Sequence, residues 1–174
     1  MKRPFASFII LSLVALLLTG CGGEPRPAGM PKLYPVSITV LQEGTPLAGA
    51  TVTLVSETPE LARWGPMGVT DANGVAIMRT NGRYEGAPLG TFKIVVSKME
   101  REPHPNPEWA NLPREDPNSQ KYDAIELRLK AFNYIEPQYS SIADTPLVIE
   151  ITAKLKTYMV DAGKQSKTEV KMNR

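Results

Sequence analysis

The chain has 174 residues, 42% of them hydrophobic, with 20 basic and 18 acidic side chains and a net charge of +2. That length suits one domain with its own core, and so even a charge balance excludes the basic footprint of a nucleic-acid binder. A single cysteine excludes an internal disulfide, a single histidine makes a poor zinc site, and 16 prolines announce many loops.

Lys2 and Arg3 precede an almost purely apolar run from Phe5 to Leu18, broken by Ser7 and Ser12. Positive charge followed by a short apolar run is the pattern of a secretory signal, and the run falls short of the ~20 residues a membrane span needs. It closes on Leu18-Thr19-Gly20-Cys21. These four residues resemble the lipobox of bacterial lipoproteins. The resemblance implies cleavage before Cys21, removal of residues 1–20 as a lipoprotein signal peptide, and a diacylglycerol thioether with an N-acyl chain on the new terminus. Several acyl chains anchor firmly, because each buried CH2 adds ~0.8 kcal/mol. Gly22 stands where an aspartate would retain a lipoprotein in the inner membrane, so the expected address is the outer membrane, its face left open. Loss of Lys2 and Arg3 leaves acidic and basic residues equal in number.

Residues 21–33 follow as the lipidated cysteine and a flexible tether. The segment GGEPRPAGMPK over 22–32 has no apolar period, and at ~3 Å per residue it reaches roughly 30 Å. The folded domain is expected over 34–158. Its first strand is Val36 to Leu41, with Val36, Ile38 and Val40 on one face and Ser37 and Thr39 on the other. Glu43-Gly44-Thr45-Pro46 reads as a turn, and Ala50 to Val55 as a second strand with Ala50, Val52 and Leu54 inward. After a loop over 57–68, Val69-Thr70 and Val75 to Met78 flank Asp71-Ala72-Asn73-Gly74. That pattern predicts a hairpin, since Asn73 and Gly74 both tolerate positive φ. A loop from Asn81 to Gly90 leads into a strand from Thr91 to Ser97, with Phe92, Ile94 and Val96 inward.

Residues 99–120 carry Pro103, Pro105, Pro107, Pro113 and Pro117, so they cannot form a central strand and read as a long insertion. In 122–135, Ile125, Leu127 and Leu129 alternate, which favours a strand over 124–130 rather than a helix. Leu147, Ile149 and Ile151 mark a final strand running to about Lys156, and 159–174 is a polar tail expected to fray. The expected fold is an all-β, antiparallel prealbumin-like or Ig-like β-sandwich of about seven strands with one Pro-rich insertion and no helix beyond the leader.

The segment Val36-Ser37-Ile38-Thr39-Val40, then Gly44, then Pro46-Leu47-Ala48-Gly49-Ala50-Thr51-Val52-Thr53-Leu54, resembles the opening of carboxypeptidase regulatory-like (transthyretin-like) domains. Thr70-Asp71-Ala72-Asn73-Gly74 is similar to their TD-x-x-G turn, and Gly90-Thr91-Phe92-Lys93-Ile94-Val95-Val96 to their G-x-[YF]-x-V-x-V strand. The stretch from Pro137-Gln138-Tyr139 to Thr145-Pro146-Leu147-Val148-Ile149-Glu150-Ile151 looks like the ending of short planctomycete-type lipoproteins of this group, with Gln138 and Pro146 departing from the pattern. The resemblance implies a prealbumin-like sandwich with a binding role rather than catalysis; the peptidase domain behind the family's name has no counterpart here. Gly49, Asp71, Asn73, Gly74 and Gly90 take structural turn roles, with Gly49 sparing a crowded turn and Asp71 accepting backbone N–H groups.

The remaining chemistry is thin. Asp71-x-Asn73-Gly74 opens like a calcium loop, but Gly82 stands where the closing bidentate acid belongs. His104, between Glu102 and Glu108, reads as an exposed loop histidine. It lacks the G-x-S-x-G elbow of a hydrolase. Glu57, Glu60, Asp116 and Asp123 show no spacing that selects a catalytic pair. No metal or cofactor is expected. Trp64, Trp109, Tyr122 and Tyr139 are the candidates for a contact surface, with capping of the sandwich core as the plainer role for the two tryptophans. The expected function is a non-enzymatic, lipid-anchored envelope module that binds another envelope protein as adhesin or scaffold. The alternative is a carbohydrate-binding module whose loop aromatics stack on a glycan, which requires Trp64 or Trp109 to be exposed.

Overall fold

The computed structural model describes residues 25–170. The leader, Cys21 and the lipidation expected there lie outside the described residues. Residues 25–30 belong to a first unit ending at Met30, and the compact unit begins at Pro31. No helix among the described residues is long and apolar enough to cross a membrane.

Fifteen short strands form within the described residues. They are β1 (Leu33–Tyr34), β2 (Ser37–Gln42), β3 (Thr45–Pro46), β4 (Thr51–Val55), β5 (Pro66–Val69), β6 (Val75–Ile77), β7 (Arg79–Thr80), β8 (Tyr84–Glu85), β9 (Ala87–Pro88), β10 (Gly90–Ser97), β11 (Met99–Arg101), β12 (Ala131–Asn133), β13 (Val148–Ile151), β14 (Thr157–Asp161) and β15 (Thr168–Val170). The count exceeds seven because the loops carry ladders of two or three residues.

The architecture is an all-β, sandwich-like fold. One sheet has the order β13-β10-β4-β5-β7-β8, antiparallel throughout. A second is built on β2, with β14 along one side and β3 and β6 along the other, and two small antiparallel sheets, β1-β9 and β11-β12-β15, complete the set. The β14–β2 pair is parallel, the one parallel ladder among the named strands. The predicted alternation holds on both larger sheets. Val36, Ile38, Val40, Ala50, Val52, Leu54, Phe92, Ile94 and Val96 are all buried, and with Ala76, Ile151, Tyr158 and Val160 they form one cluster. Period-2 alternation puts every second side chain into the inter-sheet space, and each large apolar side chain buried there contributes ~1.5–3 kcal/mol.

Several expectations need correction. Val69 and Val75 do not begin a hairpin. The Asp71–Gly74 turn is tight, with Asp71 N donating to Val75 O at 3.0 Å, but β5 pairs with β4 and β7 while β6 pairs with β2. The turn therefore carries the chain from one sheet to the other. Asp71 Oδ1 accepts from the amides of Asn73 and Val75, each at 2.9 Å. Gly74 alone takes a positive φ in this turn, +73°, and a Cβ there would lie 2.7 Å from Val40 O. Thr70 locks the corner: its buried hydroxyl donates to Leu47 O at 2.6 Å and accepts from Ala50 N at 2.8 Å. At Gly49 the requirement is the positive φ of +70°, since the space around it is open rather than crowded.

No strand forms over 124–130: residues 124–126 end a helix, Pro117–Glu126, and 127–128 turn out of it. Asp116 caps it by accepting from Asn118 N at 2.8 Å, and Pro117 occupies the first turn, where its missing N–H costs nothing. No sheet takes up the alternating residues, and Leu127 is 70% exposed. A one-turn helix also begins at Pro137, and others lie at Pro59–Ala62 and Pro107–Asn111. The strand at 148–151 is not the last. The chain continues into β14, whose Tyr158 hydroxyl donates to Glu150 O at 2.8 Å, and into β15, which pairs with β12. The supposed tail thus buries Val160 and Ala162. Leu33, expected at the end of the tether, is buried in β1 and paired with Pro88.

Candidate functional site

The aromatic candidates do not converge on one surface. Trp64 is 6% exposed and covered on its ring by the Arg63 guanidinium at 4.8 Å, so it offers no flat face to a sugar. Trp109 is half-buried in the short helix Pro107–Asn111. Tyr122 is half-buried and stacks on His104 with ring centroids 3.9 Å apart. His104 is consequently not a free loop histidine: Nδ1 accepts from Asn106 N at 3.0 Å, and Nε2 lies 3.3 Å from Tyr122 O. Tyr139 is half-buried against the main core. Glu57 pairs with Lys93 at 3.1 Å and Asp116 caps a helix, so these carboxylates serve separate structural ends. Among the described residues, no group of three or more His, Cys, Asp or Glu is placed to hold a metal ion.

Two hollows in the surface carry more information. The first, about 500 Å3, opens where β5 and β6 pass each other on their outward faces. It is lined by Met67, Val69, Val75 and Ile77, with Arg79 beside them and Asp71, whose Oδ1 is taken up by the turn amides, at its rim. Pro66 and Ala76 take the inward positions of these strands, so the residues between them face out. Met67, Val69 and Ile77 are 42%, 62% and 57% exposed. Arg79 has no ion-pair partner among the described residues. The sheet-to-sheet turn creates this hollow by bringing two apolar outer faces side by side.

The second hollow, about 490 Å3, is lined by Gln42, Leu47, Lys98, Tyr134, Gln165, Ser166 and Lys167. It shares no lining residue with the first. Gln42 continues the inward phase of Ile38 and Val40 at the end of β2 and is 5% exposed. Its Nε2 donates to Tyr134 O at 3.0 Å and to Lys164 O at 2.9 Å. Lys98 Nζ lies 5.6 Å from the Tyr134 ring centroid and 3.2 Å from Glu100. Lys167 Nζ sits 4.5 Å from the Phe132 ring and 5.8 Å from that of Tyr134. None of these residues was singled out from the sequence. The available signal was a polar residue in the buried register of a strand, which is informative because buried polar groups need partners.

No family model, curated protein or solved structure matches the chain.

Proposed function

We propose that this chain is a lipid-anchored binding module of the cell envelope, held at Cys21, that docks another protein rather than performing catalysis. The observation that carries the reading is the exposed apolar hollow of Met67, Val69 and Ile77. Apolar side chains gathered on the outside of a sandwich mark a contact surface more often than single exposed residues do. Its chemistry fits a partner that presents an apolar side chain next to an acidic group, the latter meeting Arg79. The resemblance to carboxypeptidase regulatory-like domains supports a binding role. Its quoted segments fall on β2 and β4, on the turn between β5 and β6, and on β10. The lipobox-like Leu18-Thr19-Gly20-Cys21 supports the anchor.

A photo-crosslinker at position 77 of the full lipoprotein, activated in its native envelope, tests the docking. The expected result is one defined adduct whose purified partner binds the wild-type chain and is lost on Ile77→Asp and Arg79→Glu. Binding that survives both substitutions removes this surface from the reading. The anchor is tested separately by labelling with a palmitate analogue, expected on the wild type and absent from Cys21→Ser.

A further inference from the structure

The hollow at Gln42 is built differently from the docking surface, and its polar groups define a ligand. Two backbone carbonyls consume both N–H donors of the Gln42 amide. This also fixes the amide's orientation, because only the nitrogen can face two carbonyl oxygens. The remaining atom, Oε1, has no hydrogen-bond partner among the described residues. No buried side-chain nitrogen or oxygen among the described residues is left unpaired, so Oε1 is reached from outside, and the hollow is where Gln42 meets the surface. A side chain 95% covered thus holds out one fixed acceptor, preset by two hydrogen bonds.

Two cations line the same hollow. Lys98 is shared with Glu100. Lys167 has no carboxylate partner among the described residues and is held over the rings of Phe132 and Tyr134. Gln165 and Ser166 add groups that both donate and accept. The site therefore asks for an anion at Lys167, a donor at Gln42 Oε1, and further groups that donate and accept together. Hydroxyls beside a carboxylate meet all three demands. A peptide terminus brings a carboxylate and one amide N–H but no hydroxyls, and leaves Gln165 and Ser166 unmatched. The volume lies within the range of small-molecule sites.

We infer that the Gln42–Lys98–Lys167 hollow is a binding site for a hydroxylated carboxylate of the uronic-acid type, either free or as a unit of an acidic polysaccharide. The carboxylate is held by Lys167 with Lys98, and a ring hydroxyl donates to Gln42 Oε1, replacing the water that otherwise satisfies it. This site is independent of the protein-docking hollow.

The test titrates the full chain, in detergent, with glucuronate, glucose, N-acetylglycine and a polyuronate, following the Gln42 side-chain amide and the Tyr134 amide by NMR. Glucuronate is expected to give saturable shifts at both and to bind about tenfold or more tighter than glucose. Gln42 substitutions also cut the ties to Tyr134 and Lys164, so the decisive variant is the exposed Lys167→Gln. It should lose about tenfold in glucuronate affinity while keeping the spectral dispersion of the folded chain. Binding of the polyuronate with free glucuronate inert places the site on polymer; the reverse places it on the free acid. Absence of shifts at Gln42 with both glucuronate and the polyuronate overturns the inference, as does N-acetylglycine binding as tightly as glucuronate or Lys167→Gln binding like wild type.

Discussion

The sandwich and the excursion that leaves it between Ser97 and Ala131 are built from different residues and held by different means. Along β2, β4 and β14 every second residue is buried, and Ile38, Val40, Val52, Leu54, Ile94 and Val96 are fully enclosed. Across 97–130 no residue is buried at all. The excursion keeps its shape through local ties. Asp116 caps its helix, His104 stacks on Tyr122, and its neck is pinned where Glu102 N donates to Lys130 O at 2.9 Å and Glu102 Oε2 accepts from Lys130 N at 3.2 Å. The Arg101–Glu126 ion pair, 3.7 Å long with both side chains nearly half exposed, adds little in water. The lesson is that one chain here holds two orders of stability: cooperative burial in one part, short-range hydrogen bonding in the other.

The contrast is sharpest in the core. Phe92→Ala removes the largest fully buried side chain and should cost about 3–5 kcal/mol, read from urea unfolding. Thr70→Val keeps the shape of the sheet-to-sheet corner but strands Leu47 O and Ala50 N, for an expected loss of about 1–3 kcal/mol by the same measurement. Excision of 103–129, bridged by a short Gly-Ser linker across the pinned neck, should shift the unfolding free energy by less than about 1 kcal/mol, because loop entropy varies slowly with length. A larger loss would show that the excursion supports the core, and the comparison would fail. His104→Ala should leave global stability within about 0.5 kcal/mol of wild type. Hydrogen exchange over 104–126 should nonetheless speed up as the stack with Tyr122 is lost.

Legibility in the sequence follows the same division. Strands with one face in the core write their burial as alternation, so β2, β4 and β10 are readable residue by residue. Ile125, Leu127 and Leu129 alternate as well, but alternation without a partner sheet is empty, and the cap at Asp116-Pro117 decides for helix. The Asp71–Gly74 turn is legible as a turn from its residue types. Which strands it joins is not, because pairing depends on β2, β4 and β7, distant in the chain. The tail looked polar because β14 alternates Thr157, Met159 and Asp161 outward against Tyr158 and Val160 inward, and a short strand seen from its outer face resembles a coil. Trp64 takes the plainer of its two readings, buried rather than presented, but a loop position alone says nothing of which way a ring turns. The second hollow escaped notice because it is assembled from β2, the residue after β10, the residue after β12 and the segment before β15, none of which is conspicuous alone.

The parallel ladder between β2 and β14 sets a clock. It registers Ser37 opposite Thr157, 120 residues later in the chain. A ribosome adding ~5–20 residues per second takes roughly ten seconds to cover that distance. Until that interval ends, β2 can gain only β3 and then β6 as neighbours, and its other edge stands open. A strand made early, second in chain order, is thus among the last to be closed. Any chain that stops short of Thr157 keeps an unpaired edge beside Ile38 and Val40, ready to take a strand from another molecule.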